Sequence, residues 1–275
     1  MRYIPAYLLL YELKRLFFKD KYIAEVDATW RCQLHCSHCY YNNIGNKNEK
    51  DSSEWIVFFK TLYGKGVRYV LLVGGEPTLR MDVIQQAIKT FRYVDIITNG
   101  QIKIPQEYTC RIFLSIDGNE DINDKIRGIN SFKNAVSNYE GDKRVIINFT
   151  LRPDNYSDLE SAILLANQNN FKGVVCNIIT PNRTPDENTD IIKKEERCKI
   201  ISELKRVKTI YPGKLFFTRQ MIHWYEKPDH TDYCYWRSNV LHFDYQFNTK
   251  YCFSDLDCRF CGCYAGASLS CKIPF

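Results

Sequence analysis

The sequence predicts an α/β fold, a partial barrel of six β/α units followed by a small cysteine-rich domain. Two observations predict this fold. Short β-rich runs alternate with helix-length segments up to about residue 212, and the chain beyond is dense in Cys, Tyr, Trp and Phe. Strands separated by helices form right-handed βαβ units with a parallel sheet. Six units are too few to close an eight-stranded barrel. We therefore expect three parts: a helix over 1–21, the barrel over 22–212 and the cysteine-rich domain over 213–275.

The first part is predicted to be an amphipathic helix, because apolar residues recur at helical spacing in Leu9, Leu10, Leu13, Leu16 and Phe17. Charged residues at 12, 14 and 15 interrupt the apolar run, which is therefore too short to span a bilayer. No small-residue cleavage site follows it. We expect this helix to pack against the barrel. Contact with a membrane surface, or a lining for an apolar substrate, is the alternative.

Strands and helices alternate through the barrel segment. Strands are predicted over 22–29, 69–73, 94–98, 111–117, 144–150 and 173–179. Helices are predicted over 53–63, 82–91, 131–139, 158–169 and 190–210. Beyond residue 212 helical periodicity fades, and residues 240–252 are expected to form a hairpin that turns near Asn248 and Thr249.

Composition narrows the function classes. The 275 residues are 45% hydrophobic and 25% charged, which supports a sizeable core. The net charge of +6 is mild and no long basic run is present, so we expect no nucleic-acid partner. Of twelve cysteines, three lie within 32–39 and six within 234–271. This clustering favours metal thiolates over disulfides, and we expect a cytoplasmic protein.

The first cysteine cluster has the spacing C-x3-C-x2-C, formed by Cys32, Cys36 and Cys39 directly after the first strand. Three thiolates can bind three irons of a [4Fe–4S] cube, which leaves the fourth iron open to a ligand. A zinc site completed by His35 or His38 is the alternative. Each histidine adjoins a cysteine, and adjacent residues rarely reach the same ion, so we expect both to be loop side chains.

This motif resembles that of the radical S-adenosylmethionine (radical SAM) superfamily, in which an aromatic residue, here Tyr40, follows the third cysteine. The resemblance covers about residues 22–210 and implies a partial TIM-like (β/α)6 barrel. It also implies the cofactors, S-adenosylmethionine and a [4Fe–4S] cluster, which together generate a 5′-deoxyadenosyl radical. An electron donor such as flavodoxin or ferredoxin is the implied partner.

Further matches to this superfamily follow the second, third and fourth strands, at the end of a barrel where active sites gather. With Tyr40, they make up the implied cofactor-binding set: Gly74, Gly75, Glu76, Pro77, Asn99, Ser115, Asp117 and Arg127. A glycine pair lets the backbone approach a ligand, and Glu76 would bind the methionine ammonium group. The resemblance implies that Ser115 and Asp117 contact the ribose. Arg127 is implied to bind the cofactor carboxylate.

The C-terminal cysteines resemble the auxiliary-cluster extensions called SPASM and, in shortened form, Twitch. The resemblance implies an auxiliary [4Fe–4S] cluster with four ligands: Cys234, Cys252, Cys258 and Cys261. Cys263 or Cys271 could replace one of them. The set is short for two full clusters, and Phe247 stands near the place of the usual glycine. A structural zinc held by the same thiolates is the alternative.

Cysteines outside the ligand sets have two interpretations. In some related enzymes a free thiol gives a hydrogen atom to the product radical, and the candidates here are Cys110, Cys176, Cys198, Cys263 and Cys271. A buried structural thiol is the simpler interpretation of each. Cys176, in the sixth strand, is expected to face the barrel interior if the strand register permits.

The leading hypothesis is therefore a radical SAM enzyme that acts on a small molecule, a lipid or a peptide. Modification of a ribosomally made peptide is a narrower alternative, which the lack of an evident recognition domain before residue 32 disfavours. A non-catalytic iron–sulfur or zinc protein is the alternative from a different class, and it would not need an open iron.

Overall fold

The computed structural model describes most of the barrel and part of the cysteine-rich region. The described residues are 22–39, 41, 48–180, 192–227, 229–230, 232–250, 252 and 258–271. The helix predicted over 1–21 and the aromatic residue Tyr40 lie outside them. In the described part of the chain, no helix is both long and apolar enough to cross a lipid bilayer.

In the described residues, seven parallel strands form one sheet in the order β6-β5-β4-β3-β2-β1-β7. The first six are β1 (Ile23–Asp27), β2 (Tyr69–Val73), β3 (Tyr93–Thr98), β4 (Arg111–Ser115), β5 (Val145–Leu151) and β6 (Val174–Ile178). Neighbours in sequence are neighbours in the sheet, as consecutive right-handed βαβ units require. The α/β fold and the six predicted strands are confirmed, with end shifts of one or two residues.

Helices lie in the connections between these strands, except that between β3 and β4, and one helix follows β6. They are α1 (Ser52–Gly64), α2 (Met81–Thr90), α3 (Glu120–Arg127), α4 (Ser131–Tyr139), α5 (Leu159–Gln168) and α6 (Lys194–Ile210). The sequence analysis missed α3, which is short and mostly polar. Its N-cap residue Asn119 accepts a hydrogen bond from the Ile122 amide, and acidic residues fill its first turn. Capping and charge, rather than an apolar stripe, therefore mark its start.

In the part after residue 212 that the structure describes, three more helices are present: α7 (Arg219–Glu226), α8 (Tyr235–Asn239) and α9 (Tyr264–Ser270). The sequence analysis predicted none of them, because helical periodicity fades there. These helices are five to eight residues long, which is too short for apolar residues to repeat over more than two turns.

The two faces of the sheet pack against different partners. On β1, Ala24 and Val26 belong to the large core that includes side chains of the connecting helices. Ile23, on the alternate face, packs with Trp236 and Leu269 of the C-terminal region. The C-terminal region therefore covers part of the inner face of the barrel.

A hairpin follows residue 240 as predicted and joins the barrel, but its turn lies at 244–247 and not near Asn248 and Thr249. Its first strand, β7 (Leu241–Phe243), pairs in parallel with β1, and an antiparallel bridge joins Phe243 to Thr249. Asp244 accepts the amide of Asn248 in the turn. The cysteine-rich region thus contributes a strand to the barrel sheet. The domain division at residue 212 stays a prediction.

Candidate active site

One cavity lies at the carboxyl ends of the strands and brings most of the predicted residues together. Those that line it are Cys32, Cys36, Cys39, Gly74, Gly75, Glu76, Asn99, Ser115 and Arg127. Pro77 and Asp117 do not line it. The residues come from five separate stretches of sequence, so the fold places the motifs as the parallel topology predicts.

The glycine pair after β2 supports the segment that leads into the cysteine loop. The amides of Gly75 and Glu76 donate to the carbonyls of Thr29 and Arg31, each at 2.8 Å. A Cβ at Gly75 would lie 2.2 Å from the Arg31 oxygen, and Gly74 has φ +118°. Side chains are therefore excluded here by the protein backbone itself, in addition to any ligand. The sequence analysis had considered only the approach of a ligand.

Glu76 is buried, and its hydrogen bonds link the end of β2 to the end of β3. Its carboxylate accepts the Thr78 amide at 2.9 Å, the Thr98 hydroxyl at 2.7 Å and the Asn99 amide at 2.7 Å. Burial raises the pKa of Glu76, and these hydrogen bonds oppose the rise. Held in this way, the Asn99 side-chain amide lies 3.5 Å from the Cys32 sulfur. Glu76 therefore positions a residue that touches the first cysteine.

Arg127 forms the opposite wall beside Cys36. Its guanidinium is 2.7 Å from the carboxylate of Asp117, which is fully buried, and 4.0 Å from the Cys36 sulfur. Asp117 also accepts the Thr150 amide at 2.7 Å. Burial raises the pKa of the Cys36 thiol, and the positive charge of Arg127 opposes that rise. In this structure Asp117 orients Arg127 and does not face the cavity where a ribose would bind.

The donor set fits an anionic ligand and an iron–sulfur cluster. Among the described residues, the buried Nε of Arg127 has no hydrogen-bond partner, so it is available to a carboxylate. Three thiols, of which Cys36 is buried and the other two half-buried, stand at the same cavity. Thiolates are the usual protein ligands of a [4Fe–4S] cube.

His38 also lines the cavity and faces Asp117. Its Nε2 lies 3.8 Å from the Asp117 carboxylate, and burial lowers its pKa to about 4, so the ring is neutral near pH 7. Within the described chain, no three His, Cys, Asp or Glu side chains converge to hold a single metal ion. A cube takes one thiolate on each iron and does not require such convergence.

The far wall contains polar residues that the sequence analysis missed, among them Asn148, Thr150 and Asn177. The side-chain amide of Asn177 donates to Asn148 at 2.7 Å, and its oxygen accepts the Tyr264 amide at 2.9 Å. Polar residues at alternate positions of an otherwise apolar strand β5 were the available signal, because alternate residues share one face.

The C-terminal cysteines reach the same cavity through Cys263, which lines it. Cys263 caps α9 by accepting the Gly266 amide at 3.4 Å. Gly262 packs so tightly that a Cβ there would lie 2.2 Å from the Ile178 oxygen. The end of β6 therefore fixes the position of Cys263. The sequence analysis treated this cysteine as a spare or substitute ligand.

Five C-terminal thiols lie close enough to interact electrostatically: Cys234, Cys252, Cys258, Cys261 and Cys263. Burial is the main cause of the raised pKa values of Cys234, Cys252, Cys261 and Cys263, and neighbouring thiols add to it. Cys271 differs, because burial alone raises its pKa. The four predicted auxiliary ligands thus lie in one neighbourhood together with Cys263.

Cys176 does not face the barrel interior, so that expectation is wrong. Its side chain is fully buried in the large core with the connecting helices, whereas its neighbour Asn177 lines the cavity. Alternate residues of β6 point to opposite faces. Cys110 and Cys198 do not line the cavity either.

Residues 28–141 match the model of the Radical SAM superfamily. This segment therefore carries a Radical SAM domain. Members of the superfamily are enzymes that use S-adenosylmethionine and a [4Fe–4S] cluster. The sequence-based assignment is confirmed, and the matched range contains the three cysteines and every other predicted residue of the first cavity.

Two relatives illustrate the range of the superfamily. Fe-coproporphyrin III synthase of Methanosarcina barkeri is 32% identical over 162 residues, which cover 52% of this chain and 40% of that protein. The sporulation killing factor maturation protein SkfB of Bacillus subtilis is 27% identical over 154 residues, which cover 50% of this chain and 38% of that protein. The matched part spans about two-fifths of each relative.

The same fold is seen in SuiB of Streptococcus suis. Its complex with S-adenosylmethionine superposes with a TM-score of 0.69 at 14% identity, covering 93% of this chain and 67% of that chain. Its complex with the precursor peptide SuiA superposes with a TM-score of 0.67 at 13% identity, covering 96% and 64%. At this identity the likeness concerns the fold, including the C-terminal region.

Proposed function

We propose that this protein cleaves S-adenosylmethionine reductively and uses the resulting radical to modify a second molecule. The observation that carries the proposal is a single cavity shared by Cys32, Cys36, Cys39 and the buried Arg127. In this proposal the three thiolates hold a [4Fe–4S] cluster with one open iron.

When bound, the reduced cluster supplies the electron that splits the cofactor into methionine and a 5′-deoxyadenosyl radical. The protein holds the cofactor and excludes water. Arg127 offers its unpartnered Nε to the cofactor carboxylate, and Asp117 fixes the orientation of the guanidinium. Asn99 contacts the Cys32 sulfur, so it also steadies the ligand loop.

The C-terminal thiols fit a SPASM- or Twitch-like auxiliary cluster. Cys234, Cys252, Cys258 and Cys261 remain the proposed ligands, and they interact electrostatically with one another. Cys263, which lies near the other C-terminal cysteines and also lines the first cavity, is the alternative fourth ligand. Iron and zinc analysis of the purified protein distinguishes this cluster from a structural zinc.

The test is the formation of 5′-deoxyadenosine by anaerobically reconstituted protein with dithionite, measured by mass spectrometry. The wild type is expected to form it, whereas Cys36→Ala abolishes formation. Cys198→Ala is the matched control, because this cysteine is exposed on α6 and does not line the cavity. Loaded wild-type protein that forms no 5′-deoxyadenosine would support a non-catalytic iron–sulfur protein instead.

A peptide is the substrate class that the comparisons favour. SkfB is a maturation protein for a sporulation killing factor, and SuiB has been solved with a precursor peptide. The coproporphyrin synthase is named for a small-molecule product, so a small-molecule substrate is the alternative. We place the reaction in the cytoplasm, with flavodoxin or ferredoxin as electron donor.

Fractionated host extract distinguishes these substrates. A low-molecular-mass fraction that accelerates 5′-deoxyadenosine formation is expected to lose this effect after protease treatment if the substrate is a peptide. Stimulation that survives protease treatment would instead indicate a small molecule or a lipid.

A further inference from the structure

A second cavity of about 360 Å³ lies at the opposite end of the barrel from the cysteine loop. Arg111 starts β4, and Lys172 precedes β6, so the cavity opens at the amino ends of these strands. Its volume is within the range of small-molecule sites, roughly 300–1,000 Å³. The proposed function assigns no role to it.

One layer of apolar side chains separates the second cavity from the first. Phe113, Ile146 and Val175 form a buried cluster that lines the second cavity. Two residues further along the same strands, Ser115, Asn148 and Asn177 line the first cavity. Because alternate residues of a strand share one face, the two cavities are stacked along the barrel interior. The second cavity is therefore a separate compartment.

The lining combines an apolar body with positive charge. Phe216, Phe217 and Tyr264 supply aromatic surface, and the cations are Arg111, Lys172 and Lys208. No carboxylate lines the cavity among the described residues. Asp95 neutralises Arg111, with a carboxylate oxygen 2.8 Å from its Nε. Two lysines are left to attract an anion.

The lysines and one unpartnered hydroxyl lie at different depths. Lys172 is exposed at the mouth, and Lys208 is half-buried with its ammonium group donating to the Pro212 and Leu215 carbonyls, each at 2.7 Å. Ser268 is only 1% exposed, and its hydroxyl has no hydrogen-bond partner among the described residues. A buried hydroxyl without a partner is costly unless a ligand or water supplies one.

We infer that the second cavity binds an apolar carboxylic acid with a polar group at its far end. The carboxylate lies at the mouth near Lys172 and Lys208, and aromatic side chains cover the apolar body. The far polar group forms a hydrogen bond with Ser268. Binding here needs neither the cluster nor S-adenosylmethionine.

The test is isothermal titration of the reconstituted protein with 6-hydroxy-2-naphthoate, under anaerobic conditions and without S-adenosylmethionine. Saturable binding of one equivalent is expected, with affinity about tenfold weaker for the uncharged 6-hydroxy-2-naphthamide. Lys172→Gln weakens carboxylate binding by a similar factor. Lys60→Gln, an exposed lysine change on α1, is the matched control and leaves the affinity unchanged.

Ser268→Ala tests the inner contact. The wild type is expected to bind 6-hydroxy-2-naphthoate about fivefold more tightly than 2-naphthoate, and Ser268→Ala abolishes this difference. The ligand-free variant should melt no lower than the wild type, because the change removes an unpartnered buried hydroxyl. Absence of saturable binding, or equal affinity for the acid and the amide, overturns the inference. A preference for the hydroxylated acid that persists in Ser268→Ala overturns the assignment of the inner contact.

Discussion

The two groups of cysteines use similar chemistry but are positioned in different ways. The first group lies within 32–39, on one loop after β1, and the segment that leads into this loop packs against the glycine pair after β2. The second is spread over 234–263, directly before α8, on the segments after β7 and directly before α9. Its position depends on Gly262 packing against the end of β6. One set is encoded by a short motif, whereas the other depends on tertiary packing.

The largest expected effect is that of Gly75→Ala on the first group. The new Cβ would meet the Arg31 carbonyl at 2.2 Å, so the backbone directly before the cysteine loop must shift. We expect destabilisation of about 2–3 kcal/mol and about four fewer iron atoms per chain. Iron analysis and thermal unfolding measure both. Gly213→Ala, whose Cβ would meet no atom within 4 Å, is the control. Full iron content in Gly75→Ala would contradict this role of the glycine pair.

A similar clash in the second group should have a narrower effect. Gly262→Ala brings a Cβ to 2.2 Å from the Ile178 carbonyl and displaces Cys261 and Cys263. We expect the loss of the auxiliary iron, while the first cluster and its response to S-adenosylmethionine are retained. Iron content together with the electron paramagnetic resonance (EPR) spectrum measures this. Loss of both signals would show that the two groups are not positioned independently.

Substitutions of Phe247 should have a smaller effect on stability, and the order of the Ala and Gly variants tests the role of its backbone. It has φ +70°, where glycine is usual, and its ring stacks on Phe58 at 4.1 Å. Phe247→Ala loses the ring but keeps the left-handed backbone, at a cost of about 2 kcal/mol. Phe247→Gly should be about 1 kcal/mol more stable than Phe247→Ala.

Phe58 provides the control for that comparison because it lies inside α1. There the order reverses, since glycine in a helix is about 1 kcal/mol less favourable than alanine. Urea unfolding of the four variants measures both differences. The same order at both positions would contradict the role assigned to the backbone of Phe247.

The smallest expected effect on stability is that of the Arg80–Asp82 ion pair near the first group of cysteines. Arg80 binds Asp82 at 2.8 Å and lies 3.6 Å from Glu49, which forms an ion pair with Arg31 directly before the cysteine loop. The hydrogen bond from Arg80 lowers the pKa of Asp82 to about 2. This stabilisation is present above pH 4 and is lost as the pH falls toward 2.

Because Asp82 is more than a third exposed, its contribution is at most about 1 kcal/mol. Asp82→Asn should lower the free energy of unfolding at pH 7 by that amount or less, and the difference from the wild type should shrink below pH 4. Unfolding measured between pH 2 and 7 checks this. A constant difference across the range would contradict the assigned cause.

Local patterns in the sequence predicted the strands, most helices and the first cysteine loop. Alternation of β and helical runs fixes the parallel topology, which brings Glu76, Asn99 and Arg127 to one end of the sheet. Sequence could not show that Asp117 binds Arg127 instead of facing the cavity, because that depends on side-chain direction. Nor could it place Cys263 at the first cavity, since only the docking of the C-terminal region on β6 brings it there.

The most direct test of the central claim is the EPR spectrum of the reduced, reconstituted protein before and after S-adenosylmethionine is added. An open iron on the cluster of Cys32, Cys36 and Cys39 predicts that the signal of this cluster changes. In Arg127→Gln, the same change should require a higher concentration of S-adenosylmethionine. A cluster signal that does not change at saturating S-adenosylmethionine would contradict the account.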